Sequence, residues 1–263
     1  MTEERPRWAE IAYEAMAPVY DEFTHLNDYE TWFGQLLPAL ERHGLRHGRL
    51  LDVGCGSGKA FAPMLRRGWE IHGCDVSPAM VELAREKGEG RVGLTVADMR
   101  ELPRLGEFEL VWALNDPANY MLDEGELTQA LSGMRRNLAP GGLLLFDANT
   151  IAAYRGFFCE ELVDERAGWR LCWSGRSSPA DPPGSIFEAS FEATPLPGTA
   201  GEPIAPELHR ERHFPEAALL AAIAAADLEC LEVLGYTDED GLVAPLDEEA
   251  HYKAVLIARA ANH

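Results

Sequence analysis

The chain has 263 residues, of which 46% are apolar and 25% charged, so it is long enough to bury a sizeable core as one large domain or one domain with an insert. Its 23 Lys and Arg against 44 Asp and Glu give a net charge of −21, which disfavours nucleic acids and anionic membranes as partners. No run of about 18 apolar residues occurs and residues 1–5 are polar, so we expect a cytoplasmic protein without membrane span or secretion signal.

Cysteine and histidine usage argues against disulfides and zinc. The five cysteines are odd in number and form no CxxC pair, so we expect reduced thiols. The eight histidines show no HExxH pattern. No metal is predicted.

Residues 1–45 are predicted to be helical, because their apolar and aromatic residues recur at helical spacing. Two interpretations stay open for this segment. Its aromatic residues either pack against the body of the protein or cover a ligand cleft, with Tyr20 or Trp32 facing the ligand.

Strands and helices then alternate, which predicts a parallel sheet flanked by helices. The apolar run 49–53 ends in a glycine loop and a helix to about residue 67. Strands are predicted at 49–53, 69–75, 92–97, 108–114 and 143–146. Helices are predicted from Ser77 to Gly88 and over 123–138, with Ser77 and Asp123 as N-caps, and a turn is predicted at 138–142.

The regular alternation of predicted strands and helices ends after residue 149. Residues 150–213 are rich in Pro, Gly and Ser and contain short alternating pieces, which predicts a small antiparallel β insert with loops at 176–184 and 195–206. A helix at 215–227 and strands at 228–236 and 252–258 complete the core as an antiparallel edge hairpin. We therefore predict an α/β Rossmann-like fold with a seven-stranded, mostly parallel sheet. The predicted units are 1–149 (helical lid and cofactor-binding core), 150–213 (insert covering the substrate) and 214–263 (completion of the sheet).

The glycine loop distinguishes between two kinds of nucleotide ligand. Dinucleotide enzymes use GxGxxG, whereas Gly54, Gly56 and Gly58 follow a shorter GxGxG spacing. Asp52 precedes the loop, and a carboxylate there would repel a pyrophosphate but suit a cation such as S-adenosylmethionine. An NAD(P)-dependent oxidoreductase remains the alternative.

Residues 50–58 resemble the first motif of class I S-adenosylmethionine-dependent methyltransferases, and Asp75, Asp98-Met99 and the turn 138–142 continue the resemblance in order over roughly residues 20–147. It implies S-adenosylmethionine as cofactor and S-adenosylhomocysteine as product, with Asp75 on the ribose and Asp98 and Met99 on the adenine. The predicted cofactor-binding residues are Tyr20, Asp52, Gly54, Cys55, Gly56, Gly58, Asp75, Val76, Met80, Asp98, Met99 and Leu114.

Residues 20–21, 115–120 and 146–150 resemble the subgroup that modifies small molecules, including sugars and other natural products. The acceptor atom is then O, N or C. The predicted substrate-binding residues are Trp32, Asn115, Asn119, Asn149 and Trp173. Tyr120 and His209 are the predicted catalytic residues, with His25 and His213 as further candidate bases.

The insert supplies the remaining candidates. Trp169, Trp173, Phe187 and Phe191 either line the acceptor pocket or pack the insert onto the body. Arg210 and Arg212 either pair with an anionic acceptor or are solvated.

Three other interpretations are weaker. Residues 115–118 lack the second proline and the aromatic residue of the DPPY signature of DNA amino-methyltransferases. Asp116, Asp147 and Asn149 depart from the spacing of Mg²⁺-dependent catechol-type enzymes. A non-catalytic nucleoside-binding protein would bind cofactor without turnover. A homodimer is a base-rate expectation.

Overall fold

The computed structural model describes residues 8–261. The polar residues 1–5, on which the absence of a secretion signal was predicted, lie outside this range. The helices are α1 (Trp8–Met16), α2 (Tyr20–Phe23), α3 (Tyr29–Arg42), α4 (Phe61–Arg66), α5 (Pro78–Gly88), α6 (Glu124–Arg135), α7 (Ile151–Phe157) and α8 (Glu216–Ala225). The strands are β1 (Arg49–Val53), β2 (Glu70–Asp75), β3 (Gly93–Val96), β4 (Phe108–Ala113), β5 (Leu138–Asn149), β6 (Glu161–Arg166), β7 (Trp169–Gly175), β8 (Ile186–Pro195), β9 (Ile204–Arg212), β10 (Leu228–Thr237), β11 (Gly241–Val243) and β12 (Lys253–Ala260).

The larger sheet has eight strands in the order β11-β10-β12-β5-β4-β1-β2-β3. The first five strands of the chain run parallel, and β12 lies antiparallel between β5 and β10. The predicted Rossmann-like sheet with an antiparallel hairpin is therefore confirmed. The eighth strand, β11, pairs with the edge of β10 and lies between the two strands predicted at 228–236 and 252–258. Gly241, at φ +70°, begins that short return.

Both faces of this sheet are buried, which explains the uniformly apolar run 143–146 within β5. Leu143 and Leu145 pack with α3 and α4 on one face. Leu144 and Phe146 pack with α6 and α8 on the other. Such two-sided burial is typical of parallel sheets.

Helices α5 and α6 begin at the N-cap residues that the sequence predicted. The Ser77 side chain accepts a hydrogen bond from the Met80 amide, and Pro78 occupies the first turn of α5. The Asp123 side chain accepts one from the Glu126 amide at the start of α6. Both predicted N-caps are confirmed.

The predicted turn at 138–142 is wrong, because β5 already begins at Leu138, which pairs with Phe108. The register shifts between Phe108 and Leu110, and Gly141 has φ +78°. A bulge therefore absorbs the glycines within a continuous strand.

The insert forms a second, antiparallel sheet in the order β6-β7-β8-β9. One face is buried around Tyr154 of α7, Trp173, Phe187 and Phe191. The sequence did not predict α7 or β6, and the loop predicted at 195–206 ends earlier, because β9 already begins at Ile204. Because β6 is largely exposed, it carries no alternating apolar pattern. None of the helices within residues 8–261 is long and apolar enough to cross a membrane.

Candidate active site

Two adjoining cavities open at the carboxyl ends of the parallel strands. The smaller has a volume of about 320 Å³ and is lined by the loops after β1, β2, β3 and β4. The larger, of about 780 Å³, lies between those loops and the second sheet. Four residues line both cavities and therefore mark their boundary: Tyr13, Tyr20, Asn115 and Tyr120.

The glycine loop and Asp75 form one end of the smaller cavity. The Asp75 carboxylate accepts hydrogen bonds from the amides of Gly56, at 2.8 Å, and Ser77, at 3.0 Å. Burial raises the pKa of Asp75. Gly56 has φ +51°, and a Cβ there would lie 3.3 Å from the Tyr20 hydroxyl. Asp75 thus fixes the loop while lining the cavity.

The other end of the smaller cavity is built by residues after β3. Arg100 lies 2.6 Å from the Asp98 carboxylate and 3.3 Å from that of Glu126. Met99 and Leu114 supply apolar wall. A ligand amine at Asp98 would therefore share the carboxylate with Arg100.

The charge of the smaller cavity favours a cation. Among residues 8–261, its lining contains one basic residue, Arg100, which is paired as described. Its acidic lining residues are Glu10, Asp75, Asp98, Asp123 and Glu126. A pyrophosphate would be repelled by such a lining, whereas a sulfonium with an ammonium group fits it.

Three of the predicted cofactor residues lie outside both cavities. Asp52 is 3% exposed beneath the loop, its Oδ2 has no hydrogen-bond partner within residues 8–261, and burial raises its pKa to about 7. A Cβ on Gly58 would lie 2.6 Å from the Phe61 ring, so this glycine allows the loop to pack on α4. Met80 is fully buried in α5. These three residues therefore lie behind the cavity wall, where they support the glycine loop and the segments next to it.

The N-terminal helices are fastened to the glycine loop. The Asp21 carboxylate lies 2.5 Å from both the Ser57 hydroxyl and the Lys87 ammonium. Lys59 donates to the carbonyl of Thr24 at 2.8 Å. This fastening holds Tyr20 at the boundary between the cavities.

A hydrogen-bonded chain runs along the same boundary. The Tyr13 hydroxyl donates to Tyr120 at 3.0 Å, and the Tyr120 hydroxyl lies 2.8 Å from Nδ1 of His209. Burial lowers the pKa of His209 to about 4, so its ring is neutral at pH 7. In the tautomer in which the Tyr120 hydroxyl donates to Nδ1, the ring proton is on Nε2. No pattern in the sequence of α1 identified Tyr13 as a candidate site residue.

We expect Tyr120→Phe to lower the free energy of unfolding by about 1–3 kcal/mol, because it leaves the buried His209 Nδ1 and the Tyr13 hydroxyl without their partner. Urea unfolding monitored by fluorescence measures the change. Tyr252→Phe, at a residue that is 53% exposed, is the control and should change little. An equal, small effect of both substitutions would contradict the structural importance of the chain.

Polar groups gather at the floor of the larger cavity. Asn115 and Asp116 both have left-handed backbone, with φ +62° and +66°, and both amides donate to the buried Asp147 carboxylate at 2.7 Å. Lys253 lies 3.2 Å from Asp147, 3.2 Å from Asn149 Oδ1 and 3.5 Å from Asp116. The lysine ammonium thus occupies the centre of the oxygen cluster that was considered for Mg²⁺.

Glu211 joins this floor from β9. Its Oε2 accepts hydrogen bonds from Tyr154, at 2.9 Å, and from Asn149 Nδ2, at 3.1 Å. Burial and the neighbouring Asp116 raise the pKa of Glu211 to about 8. The sequence did not identify Glu211, Lys253 or Tyr154 as site residues, because none of them lies in a recognisable motif.

The predicted substrate residues divide into two groups. Asn115, Asn149 and Trp173 line the larger cavity. Trp32 instead packs edge-on against Tyr236, with ring centres 4.5 Å apart, and lies outside both cavities. Asn119 is fully buried and bonds the Arg212 carbonyl and the Asn149 amide, so it braces the floor from below.

The other basic candidates have partners elsewhere. His25 is at the rim of the larger cavity, 3.9 Å from Asp164. His213 is buried outside the cavity, where its Nδ1 accepts from the Gly184 amide.

The two insert arginines lie against other acidic residues. Arg210 lies 2.8 Å from Glu188, and Arg212 lies 3.8 Å from Glu124. Neither arginine lines a cavity. The apolar residues Phe187 and Phe191 pack the core of the insert, and Trp169 is partly buried against it.

Comparisons with known proteins agree with this architecture. Residues 50–142 match the model of the methyltransferase-domain family. A putative methyltransferase of Geobacillus sp. (strain WCH70) is 32% identical over 145 residues, which are 53% of this chain and 58% of that protein. The match thus spans little more than half the length of the curated relative.

Solved structures match over nearly the whole chain. An S-adenosylmethionine-dependent methyltransferase from Clostridium acetobutylicum has a TM-score of 0.77 at 17% identity, covering 95% of this chain and 99% of the other. The sugar N-methyltransferase KedS8 from Streptoalloteichus sp. has a TM-score of 0.69 at 26% identity, covering 92% and 93%. Residues 50–142 thus match a methyltransferase domain, and the fold of the chain is that of S-adenosylmethionine-dependent methyltransferases of known structure.

Proposed function

We propose that the protein transfers a methyl group from S-adenosylmethionine to a small molecule held in the larger cavity. The observation that supports this most strongly is the pair of cavities that meet at Tyr13, Tyr20, Asn115 and Tyr120. A donor in one cavity and an acceptor in the other would be brought together at that boundary, where proximity and alignment supply much of the rate.

The smaller cavity is the proposed cofactor site. Asp75 accepts hydrogen bonds from the ribose hydroxyls, and Asp98, Met99 and Leu114 surround the adenine. Residues 54–56 receive the methionine end. S-adenosylmethionine supplies, when bound, a methyl group on a positively charged sulfur that leaves as a neutral thioether. The acidic lining, in which the described residues include no unpaired basic side chain, favours that cofactor over NAD(P).

Tyr120 and His209 are proposed to orient the acceptor. Because the pKa of His209 is lowered to about 4, its ring is a weak base at neutral pH. Its Nδ1 instead fixes the direction of the Tyr120 hydroxyl at the boundary. Asn115 and Trp173 are proposed to contact the acceptor, together with Asn149, whose amide is already bonded to Asp116, Glu211 and Lys253.

The size and lining of the larger cavity support a small acceptor. Its walls combine aromatic side chains such as Phe157 and Trp173 with the polar floor. The likeness to a sugar N-methyltransferase, at 26% identity over most of both chains, points the same way. Cytoplasmic location and a homodimer remain predictions from the sequence.

Ligand-induced stabilisation tests the proposed cofactor. S-adenosylhomocysteine at about 100 times its dissociation constant should stabilise the protein by about 2.7 kcal/mol and raise the melting temperature by about 5–10 °C. NADPH at the same concentration should give no shift. Stabilisation by NADPH alone would support the oxidoreductase alternative, and binding without turnover on any acceptor would support a non-catalytic role.

A further inference from the structure

The floor of the larger cavity carries more carboxyl groups than ammonium groups. Asp116 and Glu211 line it together with one ammonium group, that of Lys253. Lys253 also neutralises the fully buried Asp147 at 3.2 Å. Within residues 8–261, no Lys or Arg nitrogen forms an ion pair with Glu211. Once ionised, a carboxyl group in this position calls for a cationic partner.

The free oxygens of the two carboxyl groups are available to such a partner. Both hydrogen bonds of Glu211 are made by Oε2, and Oε1 makes none to residues 8–261. Asn149 and Lys253 likewise approach Oδ2 of Asp116 rather than Oδ1. Asn149 Nδ2 bonds both carboxyl groups and so holds them on the same side of the cavity.

A second observation also points to a polar ligand in this cavity. His209 lines it, is 1% exposed, and has no hydrogen-bond partner for Nε2 within residues 8–261. An orphaned buried ring nitrogen is costly unless a ligand pairs with it. When Tyr120 donates to Nδ1, Nε2 carries the ring proton and fits an oxygen of the ligand.

We propose that Asp116 and Glu211 bind the amino group of the methyl acceptor and that Glu211 removes the proton that blocks its nitrogen. An alkylammonium group has no lone pair and cannot attack carbon. In the proposed step an N–H bond breaks, an O–H bond forms on Glu211, and the electron pair stays on nitrogen. The acceptor is thus an amine that also carries an oxygen for His209.

The pKa of Glu211 favours proton transfer from an ammonium group. Its pKa of about 8 is within roughly two units of an alkylammonium group, so the proton moves at low cost. His209, with a pKa of about 4, would accept the same proton far less readily. Asp116 keeps the proton on Glu211 by its own negative charge.

This inference rests on the proposed function. The experiment below distinguishes failure of the inference from failure of the proposed function. Titration calorimetry first measures binding of S-adenosylhomocysteine to the wild-type protein and to Glu211→Gln. Cyclohexylamine and cyclohexanol are then titrated into each protein saturated with S-adenosylhomocysteine, at about pH 8.5, where the carboxylate is ionised and the amine still charged. Glu207→Gln, on the same strand but outside both cavities, is the matched control.

We expect cyclohexylamine to bind the wild-type protein and the control at least about 10-fold more tightly than cyclohexanol, and to lose about 10- to 100-fold in affinity in Glu211→Gln. Binding of S-adenosylhomocysteine should be equal in all three proteins. Undetectable amine binding to the wild-type protein, equal binding of amine and alcohol, or an unchanged amine affinity in Glu211→Gln would overturn the inference. Failure of the wild-type protein to bind S-adenosylhomocysteine would instead count against the proposed function.

Discussion

Replacing Asp75 by alanine is expected to weaken the binding of S-adenosylhomocysteine at least about 100-fold. The substitution removes a carboxylate proposed to accept two hydrogen bonds from the ribose, and hydrogen bonds to a charged group contribute about 1.5–3 kcal/mol each. It also frees the Gly56 amide, which Asp75 holds at 2.8 Å, so the loop loses part of its preorganisation. Titration calorimetry with S-adenosylhomocysteine measures the loss directly.

Two further variants separate ligand binding from folding. Asp75→Asn keeps one oxygen that can accept from a backbone amide, so we expect it to fold normally and to lose about 10-fold in affinity. Asp240→Ala changes an aspartate in the loop between β10 and β11, outside both cavities, and should bind as the wild-type protein does. Unchanged affinity in Asp75→Ala would reject the assignment of Asp75 to the ribose.

Replacing Lys253 by methionine is expected to lower the free energy of unfolding by about 3 kcal/mol. Lys253 is the cation between Asp116 and Asp147, and the Asp147 side chain is 0% exposed. Removing one partner of a buried ion pair leaves an uncompensated charge, which is usually more costly than losing the pair altogether. Urea unfolding of the wild-type and variant proteins gives the difference.

A rescue variant and a surface control sharpen this test. Adding Asp116→Asn to Lys253→Met removes one of the uncompensated charges and should recover part of the lost stability. Arg104→Met breaks an exposed ion pair with Glu107, whose side chains are 65% and 56% exposed, and should cost less than about 1 kcal/mol. If Lys253→Met proved as mild as Arg104→Met, the lysine would not be the essential counter-charge of the floor.

The parallel core was predictable because each of its elements carries a local signal. Strands buried on both faces appear as apolar runs, as in Leu143–Phe146, and the helix starts at Ser77 and Asp123 carry their caps beside them in sequence. The elements that were missed lack such a signal. The edge strand β6 is largely exposed, β11 has only three residues, and α7 has only seven.

The two cavities were predictable to different degrees. The carboxyl ends of parallel strands converge, so residues such as Asp75 and Asp98 could be placed near one ligand from their positions alone. The floor of the larger cavity combines Glu211 from β9 with Lys253 from β12, and Tyr13 comes from α1. Their proximity depends on how the second sheet and the N-terminal helices pack onto the core, which no single stretch of sequence encodes. Helical spacing likewise did not reveal that Trp32 faces Tyr236.

A crystal structure of the protein with S-adenosylhomocysteine tests most directly whether the smaller cavity binds the cofactor and leaves the larger cavity for the acceptor. We expect the adenine beside Asp98 and Met99, the ribose hydroxyls on Asp75, and the sulfur at the boundary formed by Tyr13, Tyr20 and Tyr120. The larger cavity should remain open to an acceptor in that complex. Density for the nucleoside in the larger cavity, or at a site away from the glycine loop, would contradict the proposed arrangement.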